Sequence, residues 1–429
     1  MSKFNNNIPM VPITKLLEDI VDNRGKSCPT CEKGFPLIAT NCIKHTSIYP
    51  TFENIRYVSD EVFHNWFRAE LKPNDILFVN KGTPGRVCLV PDPVSFCAAQ
   101  DMIGLRVDPE KIYYKYLFAV LRSEFIQKKI ANFHVGIAIP HFKKSDLDNL
   151  LIPVPDKKIQ VKIGDLFCQL SEKIELNNRI NAELESIAKT LYDYWFLQFE
   201  FPNEEGKPYK SSGGKMVWNE ELKREIPEGW EVVTLNNVTD TLTKGTTPST
   251  LGYNFTDCGV NFVKVESINN GQIVPELLAH ISFEAHNKME RSALKKDDIL
   301  LTIAGRLGTT CVVSKNILPA NTNQAVGIIR LKNEHMNLVR LIYEIILSDE
   351  IQAKLLYANA QSIQKNLNLK NVGDISFALP LSDILQLYNQ IVEPVFEKIE
   401  NNYIENQELA ELRDFLLPLL MNGQVGFKE

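Results

Sequence analysis

The sequence predicts an α+β chain in which two tandem domains of mixed strand and helix content are joined by two long helices forming an antiparallel coiled coil. Three observations predict it. A unit of about 225 residues is written twice; each copy opens with short apolar runs broken by Gly, Pro and Asn; and each closes with a long apolar stripe at three-to-four spacing.

The duplication is read directly. Asp75-Ile-Leu-Phe-Val-Asn-Lys-Gly-Thr-Pro-Gly85 returns as Asp298-Ile-Leu-Leu-Thr-Ile-Ala-Gly-Arg-Leu-Gly308, an offset of 223. Leu151-Ile-Pro-Val-Pro155 is answered by Phe377-Ala-Leu-Pro380, and Glu172-Lys-Ile-Glu175 by Glu397-Lys-Ile-Glu400, both at 225. Asn23-Arg-Gly25-Lys-Ser matches Thr243-Lys-Gly245-Thr-Thr more loosely, near 220.

Within each unit, runs such as Phe35-Pro-Leu-Ile-Ala-Thr and Gly259-Val-Asn-Phe-Val-Lys-Val read as strands. A helical stretch follows, Tyr113 to Lys129 and Leu338 to Leu356, then a polar loop and a short strand before Pro155 or Pro380. The first long helix is expected over about Lys158 to Phe199, with Gly164 its one glycine and Asn177 a polar interruption. Its seam candidates are Ile163, Leu166, Leu170, Ile174, Leu184, Leu191 and Trp195. The second is expected over about Leu385 to Leu417, with Ile391, Val395, Ile399, Leu409, Leu412 and Leu416 on its seam and Pro394 placed to kink it or delay its start. A helix of some 40 residues is about 60 Å long, more than its own domain can cover, so the two are expected to cover each other. The implied division is a first domain at 1–157, a long helix at 158–200, a turn-rich linker at 201–229, a second domain at 230–384, and a second long helix with its tail at 385–429. Trp218 and Trp230 are expected to pin the linker to the second domain.

Composition fits a folded protein, 44% hydrophobic and 23% charged. No apolar run reaches 18 residues and Met1 to Met10 lacks a secretory pattern, so the cytoplasm is the expected compartment, with no membrane partner. The eight cysteines are scattered, as in a reducing environment. The net charge of −6 alone does not suggest DNA, but the acidity is uneven: residues 1–158 hold 21 Lys and Arg against 17 Asp and Glu, whereas 381–429 hold 3 against 9.

Catalytic signatures fail on context. Gly25-Lys26-Ser27 resembles the end of a phosphate loop, but position 20 is Ile where that loop requires Gly. Glu205-Gly-Lys207 resembles a fragment of a nuclease site but lies in the Gly/Pro linker. There is no GxGxxG, HExxH, GxSxG or Asn-Pro-Pro run. Cys28, Cys31, Cys42 and His45 are a weak candidate for structural zinc, set against ordinary free thiols. No other metal site is expected, and no catalytic residue.

The paired Asp-Ile-Leu followed by Gly-x-x-Gly (Gly82 to Gly85, Gly305 to Gly308), Ile139-Pro-His-Phe leading to Pro155, Leu191-Tyr-Asp-Tyr-Trp-Phe196 running into Pro202, Ile226-Pro-Glu-Gly-Trp230 and Leu416-Leu-Pro-Leu-Leu-Met-Asn-Gly423 stand in a specific order. In that order the chain resembles the specificity (S) subunits of type I restriction–modification systems, along nearly its whole length. The resemblance implies two target-recognition domains, each reading one half of a bipartite, asymmetric sequence in double-stranded DNA. It also implies bacterial or archaeal origin, two methyltransferase (M) subunits and restriction (R) subunits as partners, and no cofactor in this chain. S-adenosylmethionine, ATP and Mg would then belong to the partners. Departures are the Cys-x-x-Cys near the start and Gln361-Ser-Ile-Gln-Lys365 in place of Gly136-Ile-Ala-Ile-Pro140.

Under that reading the DNA-contact candidates in the first unit are Lys26, Lys81, Thr83, Arg86, His141, Lys143 and Lys144. In the second they are Lys244, Thr246, Lys264, Arg306, Thr309 and Lys365. His134 and His141, which flank 135–140, are each open between capping that loop and meeting phosphate. Rival readings are a non-catalytic DNA- or protein-binding adaptor of another system and a DNA-modifying enzyme complete in one chain.

Overall fold

Short β-prone runs that alternate with turn residues form stable sheets only where one face is covered, and each half of this chain supplies both strands and helices to cover them. The computed structural model describes residues 8–22, 27–67, 70–133, 140–269, 271–360 and 367–427, with the backbone alone over 356–360. Two compact units divide the chain: Met1–Ala182 with Ile399–Glu429, and Glu183–Lys398. The boundary falls inside both long helices, Lys157–Tyr192 and Ser382–Met421.

In the first unit a four-stranded antiparallel sheet has the order Leu17–Asp22, Met102–Val107, Ile76–Val79, Val87–Leu89. A second sheet places Phe35–Ile38 between Arg56–Val58, antiparallel, and Cys97–Ala98, parallel. The second unit repeats the first arrangement as Thr239–Lys244, Val326–Leu331, Ile299–Thr302, Thr310–Val312, and the parallel step as Val260–Val263 with Ala320–Thr322. Two further antiparallel pairs correspond, Met10–Pro12 with Leu151–Pro153 and Glu231–Thr234 with Ser376–Leu379.

The repeated Asp-Ile-Leu owes its aspartate to a buried clamp. Arg106 donates from Nε to Asp75 Oδ1 (3.0 Å) and from Nη2 to Asp75 Oδ2 (2.8 Å), while the Lys72 amide donates to the same carboxylate (2.8 Å). Arg330, Asp298 and the Lys295 amide repeat this at 2.7, 2.6 and 2.7 Å. Bidentate pairing satisfies a carboxylate that burial would otherwise penalise, and it ties the second strand of each sheet to the turn before the third.

The helical stretch expected over Tyr113 to Lys129 is two helices, Tyr114–Arg122 and Glu124–Asn132, and its counterpart is Val339–Leu347 and Asp349–Ala360. Ser123 and Ser348 make the break: each hydroxyl bonds back to a carbonyl three residues earlier (2.6 and 2.7 Å), and Ser123 also caps Ile126. Periodicity passed over both because the apolar stripe continues across the bend.

The long helices lie antiparallel within each unit. In the first unit Ser171 meets Arg413, Asn177 meets Asn406 and Asn181 meets Asn402, while Ile163, Leu166 and Leu170 face Leu416, Leu417 and Leu420. In the second, Trp195 and Phe196 pack on Tyr388 at ring distances of 6.1 and 4.8 Å. Ile163 and Ile399 are buried, and Ile174, Leu184, Leu191, Val395 and Leu409 are half-buried.

Four expectations are corrected. Ile391 and Leu412 are 46% and 45% exposed, because Tyr388, Val392, Phe396 and Ile399 take the inner line and Arg413 lays its guanidinium over Phe167 (5.5 Å). The second helix begins at Ser382 and runs through Pro394, which lacks only the one amide that would have met the carbonyl of the exposed Gln390. The linker is not structureless: Met216–Asn219 and Arg224–Pro227 form a hairpin. Of the two tryptophans only Trp230 is buried, against Phe196, Phe199 and Phe201. Trp218 is 55% exposed on the hairpin and donates to Glu220 (3.0 Å).

Two predictions follow from the packing of these helices. A Cβ on Gly164 would stand 2.6 Å from the Tyr116 amide nitrogen, so Gly164→Ala should destabilise the chain by about 1–3 kcal/mol despite alanine's better helix propensity, as denaturant unfolding would register. Glu344, buried in the second unit where the first has Ala119, is held up to about 7 by desolvation and by Asp193 and Glu185, against Lys189 and Arg340. A carboxyl raised above its unfolded value of 4.5 favours the fold below that pH and loses this as pH rises through 7. Glu344→Gln should therefore be more stable than the parent by on the order of 1–3 kcal/mol at pH 8 and equal to it near pH 4, in melts at both pH values.

Candidate nucleic-acid interface

In the first unit the Gly-rich turn follows the buried strand Ile76–Val79. The chain returns to it 60 residues later: Lys81 and His141 form an isolated antiparallel bridge, the Gly82 amide donates to Pro140 O (2.9 Å) and the Phe142 amide to Asn80 O (2.8 Å). Phe142 anchors this return, fully buried with its ring 5.4 Å from Phe78 and 5.2 Å from Phe133. Lys81, Thr83, His141, Lys143 and Lys144 thus share one stretch of surface, all exposed except the half-buried His141.

Gly82 has φ +85° with open space around it, so glycine is there for its backbone conformation. Gly85, at φ +93°, lies against Gln127, which donates to its carbonyl (2.8 Å) and to Leu121 O (2.6 Å). Gln352 repeats this on Gly308 (3.1 Å) and Ile346 (2.8 Å). The turn is therefore bolted to the helix behind it in both units.

Among the described residues Lys81 and Lys143 have no carboxylate within ion-pair distance; Lys144 faces Asp22 at 3.8 Å. Arg86 is half-buried and belongs to another neighbourhood. It stands with Arg122 near His45, whose ring burial and these two cations hold below its ordinary range.

The second unit uses the same frame differently. The Arg306 guanidinium donates to Ile268 O, and Thr302 Oγ1 accepts from the Thr309 amide (2.9 Å) and donates to Arg306 O. Arg306 thus holds the turn against Ile268, and Thr309 closes the turn on Thr302. Lys264 lies over the exposed Phe255 ring (4.4 Å) and 3.9 Å from Glu266.

A second cluster forms where Thr239–Lys244 ends. The Gly245 amide donates to Val326 O (3.1 Å) and that of Thr246 to Thr322 O (2.9 Å); a Cβ on Gly245 would stand 2.1 Å from Thr322 O, so only glycine fits. Arg291 donates to Thr243 Oγ1 and, at 2.9 Å, to Thr246 Oγ1, and Thr247 bonds Gln324. Lys244 is exposed beside them. Among the described residues Arg291 has no acidic partner, unlike Arg106 and Arg330, so its charge is positioned by neutral hydroxyls and left uncompensated.

Sequence reasoning missed Arg291 and Gln324. The signal for Arg291 was present, since Arg68 precedes it by the same 223 residues as Asp75 precedes Asp298. Lys26, Arg68, His134 and Lys365 lie outside the described residues.

The zinc candidates do not converge. Cys42 is buried in a cluster with Ile38 and Ile43, Cys31 Sγ donates to Lys33 O (3.0 Å), Cys28 packs in the neighbouring cluster with Leu37 and Val58, and His45 stands beside Arg86 and Arg122. Each ligand side chain is committed to a different contact. Among the described residues no group of three or more His, Cys, Asp or Glu side chains is placed to hold a metal, and no helix is long and apolar enough to cross a membrane.

The family model described as the type I restriction modification DNA specificity domain matches twice, over residues 17–186 and 227–413. The chain is 25% identical to the type I restriction enzyme HindI specificity subunit of Haemophilus influenzae, with 83% of this chain and 88% of that one covered. It is 26% identical to the MjaIX specificity subunit of Methanocaldococcus jannaschii, with 82% and 78% covered. Its fold is similar to the crystal structure of a type I restriction–modification S subunit from M. genitalium, at 19% identity, TM-score 0.57 and 98% coverage of both chains. With a clamp, a bolted turn and a family match in each half, the chain belongs to the type I restriction–modification DNA specificity family.

Proposed function

We propose that the chain reads a bipartite, asymmetric sequence in double-stranded DNA, one half with each unit, and directs catalytic partners to it while performing no chemistry itself. One observation carries this reading: the two units share a frame and differ in the polar groups mounted on it. Around the Gly-rich turn the first presents Lys81, His141, Lys143 and Lys144, whereas the second has Ala304 at the position of Lys81 and ties Arg306 to the Ile268 carbonyl. Identical heads would suit a palindrome; unlike heads suit two unlike half-sites.

Arg291 is built for the task. A guanidinium held in a fixed plane by hydroxyls keeps its full charge for a phosphate, or its fork for a guanine edge in the major groove. Lys81 and Lys143 serve as point charges that grip the backbone. The long helices, 36 and 40 residues, correspond to about 54 and 60 Å, longer than a DNA turn of about 34–36 Å. They therefore act as the spacer between half-sites.

The partners are two methyltransferase subunits that use S-adenosylmethionine and, in the full complex, restriction subunits that use ATP and Mg; the chain itself needs no cofactor. Their basic surface compensates for the net charge of −6. The assembly works in the cytoplasm of a bacterium or archaeon. The exposed Ile391 and Leu412, outside the helix seam, are apolar surface available to these partners.

Exchanging residues 1–155 for those of a relative should change one half of the methylated sequence and leave the other intact; methylome sequencing in cells with the cognate methyltransferase subunit reads this, and a change in both halves contradicts it. Arg291→Ala should weaken specific binding by the assembled methyltransferase complex about tenfold or more and flatten its salt dependence, with the melting temperature unchanged. Undiminished affinity would remove Arg291 from the interface.

A further inference from the structure

The apolar seam of the long helices is interrupted in the first unit by four asparagines. Asn177, Asn181 and Asn402 are each 1–2% exposed, and Asn406 is half-buried. They are two pairs related by the 225-residue repeat, 177 with 402 and 181 with 406. Their hydrogen bonds obey the same relation: Asn177 Nδ2 donates to Asn406 Oδ1 (2.9 Å), and Asn402 Nδ2 donates to Asn181 Oδ1 (2.7 Å). The spare donors reach Glu405 Oε2 (2.8 Å), Asn178 Oδ1 (2.9 Å) and Ile399 O (3.4 Å).

Stability does not explain the layer. Apolar residues of similar size would bury more hydrocarbon without needing partners, and among the described residues Asn402 Oδ1 has none. What the layer does is discriminate. Sliding one helix past the other by a turn breaks both cross-helix pairs and re-forms only one, 177 with 402 or 181 with 406, so two of the four amides lose their partner across the seam. An unbroken apolar seam offers no such penalty.

We propose that the Asn177, Asn181, Asn402 and Asn406 layer fixes the register of the two helices and, through it, the number of base pairs tolerated between the two halves of the DNA target. The second clause rests on the bipartite reading given above; the first does not. A slip of one helical turn is about 5.4 Å, between one and two base-pair steps of 3.4 Å.

The test uses the whole chain with Asn181→Leu and Asn402→Leu together, and Asn181→Ala with Asn402→Ala as a second variant should the leucines overpack. Spin labels on exposed positions 172 and 401, with Cys28, Cys31 and Cys258 replaced by Ser, report register by pulsed electron resonance. The parent should give one distance, and the variants two or more populations about 5 Å apart at a melting temperature no lower than the parent's for the leucine pair. A single unchanged distance in both variants overturns the register assignment. With the cognate methyltransferase subunit, methylome mapping should show the parent confined to one spacer length and the variants modifying sites one or two base pairs longer or shorter. Split distances with an unchanged single spacer overturn the link to DNA spacing while leaving the register assignment standing.

Discussion

A helix of 36 or 40 residues carries an apolar stripe longer than any domain of this size can cover, and the mutual burial of two such stripes is the constraint on which the rest of this chain depends. In the first unit it sets Ile163 and Phe167 beside Leu417 and Leu420; in the second it sets Trp195 and Phe196 on Tyr388. The same helices also form part of each unit's core. Gly164 lets the first helix approach the backbone at Tyr116, and Tyr113 and Lys115 both meet Asp165 on that helix. Each unit's loops and its share of the long helices are therefore one folded object, and a change in the seam is a change in the footing of the loops.

On that footing each unit builds a rigid frame from few parts. The Asp–Arg clamp binds strand to turn, and the Gln–Gly contact bolts the Gly-rich turn to the helix behind it. Because the frame is satisfied internally, the residues mounted on it are free to differ. Duplication followed by divergence of the mounted groups is a physically inexpensive route to reading two different sequences, since neither core has to be rebuilt.

The sequence disclosed what depends on periodicity and repetition: the offset near 225, the two long helices, their antiparallel pairing and the Gly-rich turns. It hid what depends on side chains meeting across the fold. Lys81 and His141 were both named from sequence, but only the Phe142 anchor shows that they are neighbours. Arg306 read as a DNA contact and is spent on the Ile268 carbonyl, while Arg291, in a segment with no periodic pattern, is held by two threonine hydroxyls and, among the described residues, by no carboxylate. Ile391 was misassigned because a stripe at three-to-four spacing fits two adjacent phases, and Tyr388 and Phe396, with more area to bury, decided between them. Asn177 was legible as an interruption, but its meaning required Asn406 opposite it.

The central claim is that two unlike heads on a shared spacer read two unlike half-sites. Methylome mapping in cells holding only this chain and its cognate methyltransferase subunit tests it most directly. The account predicts one modified sequence of two different specified blocks separated by a fixed unspecified gap. A contiguous or palindromic modified sequence would contradict it.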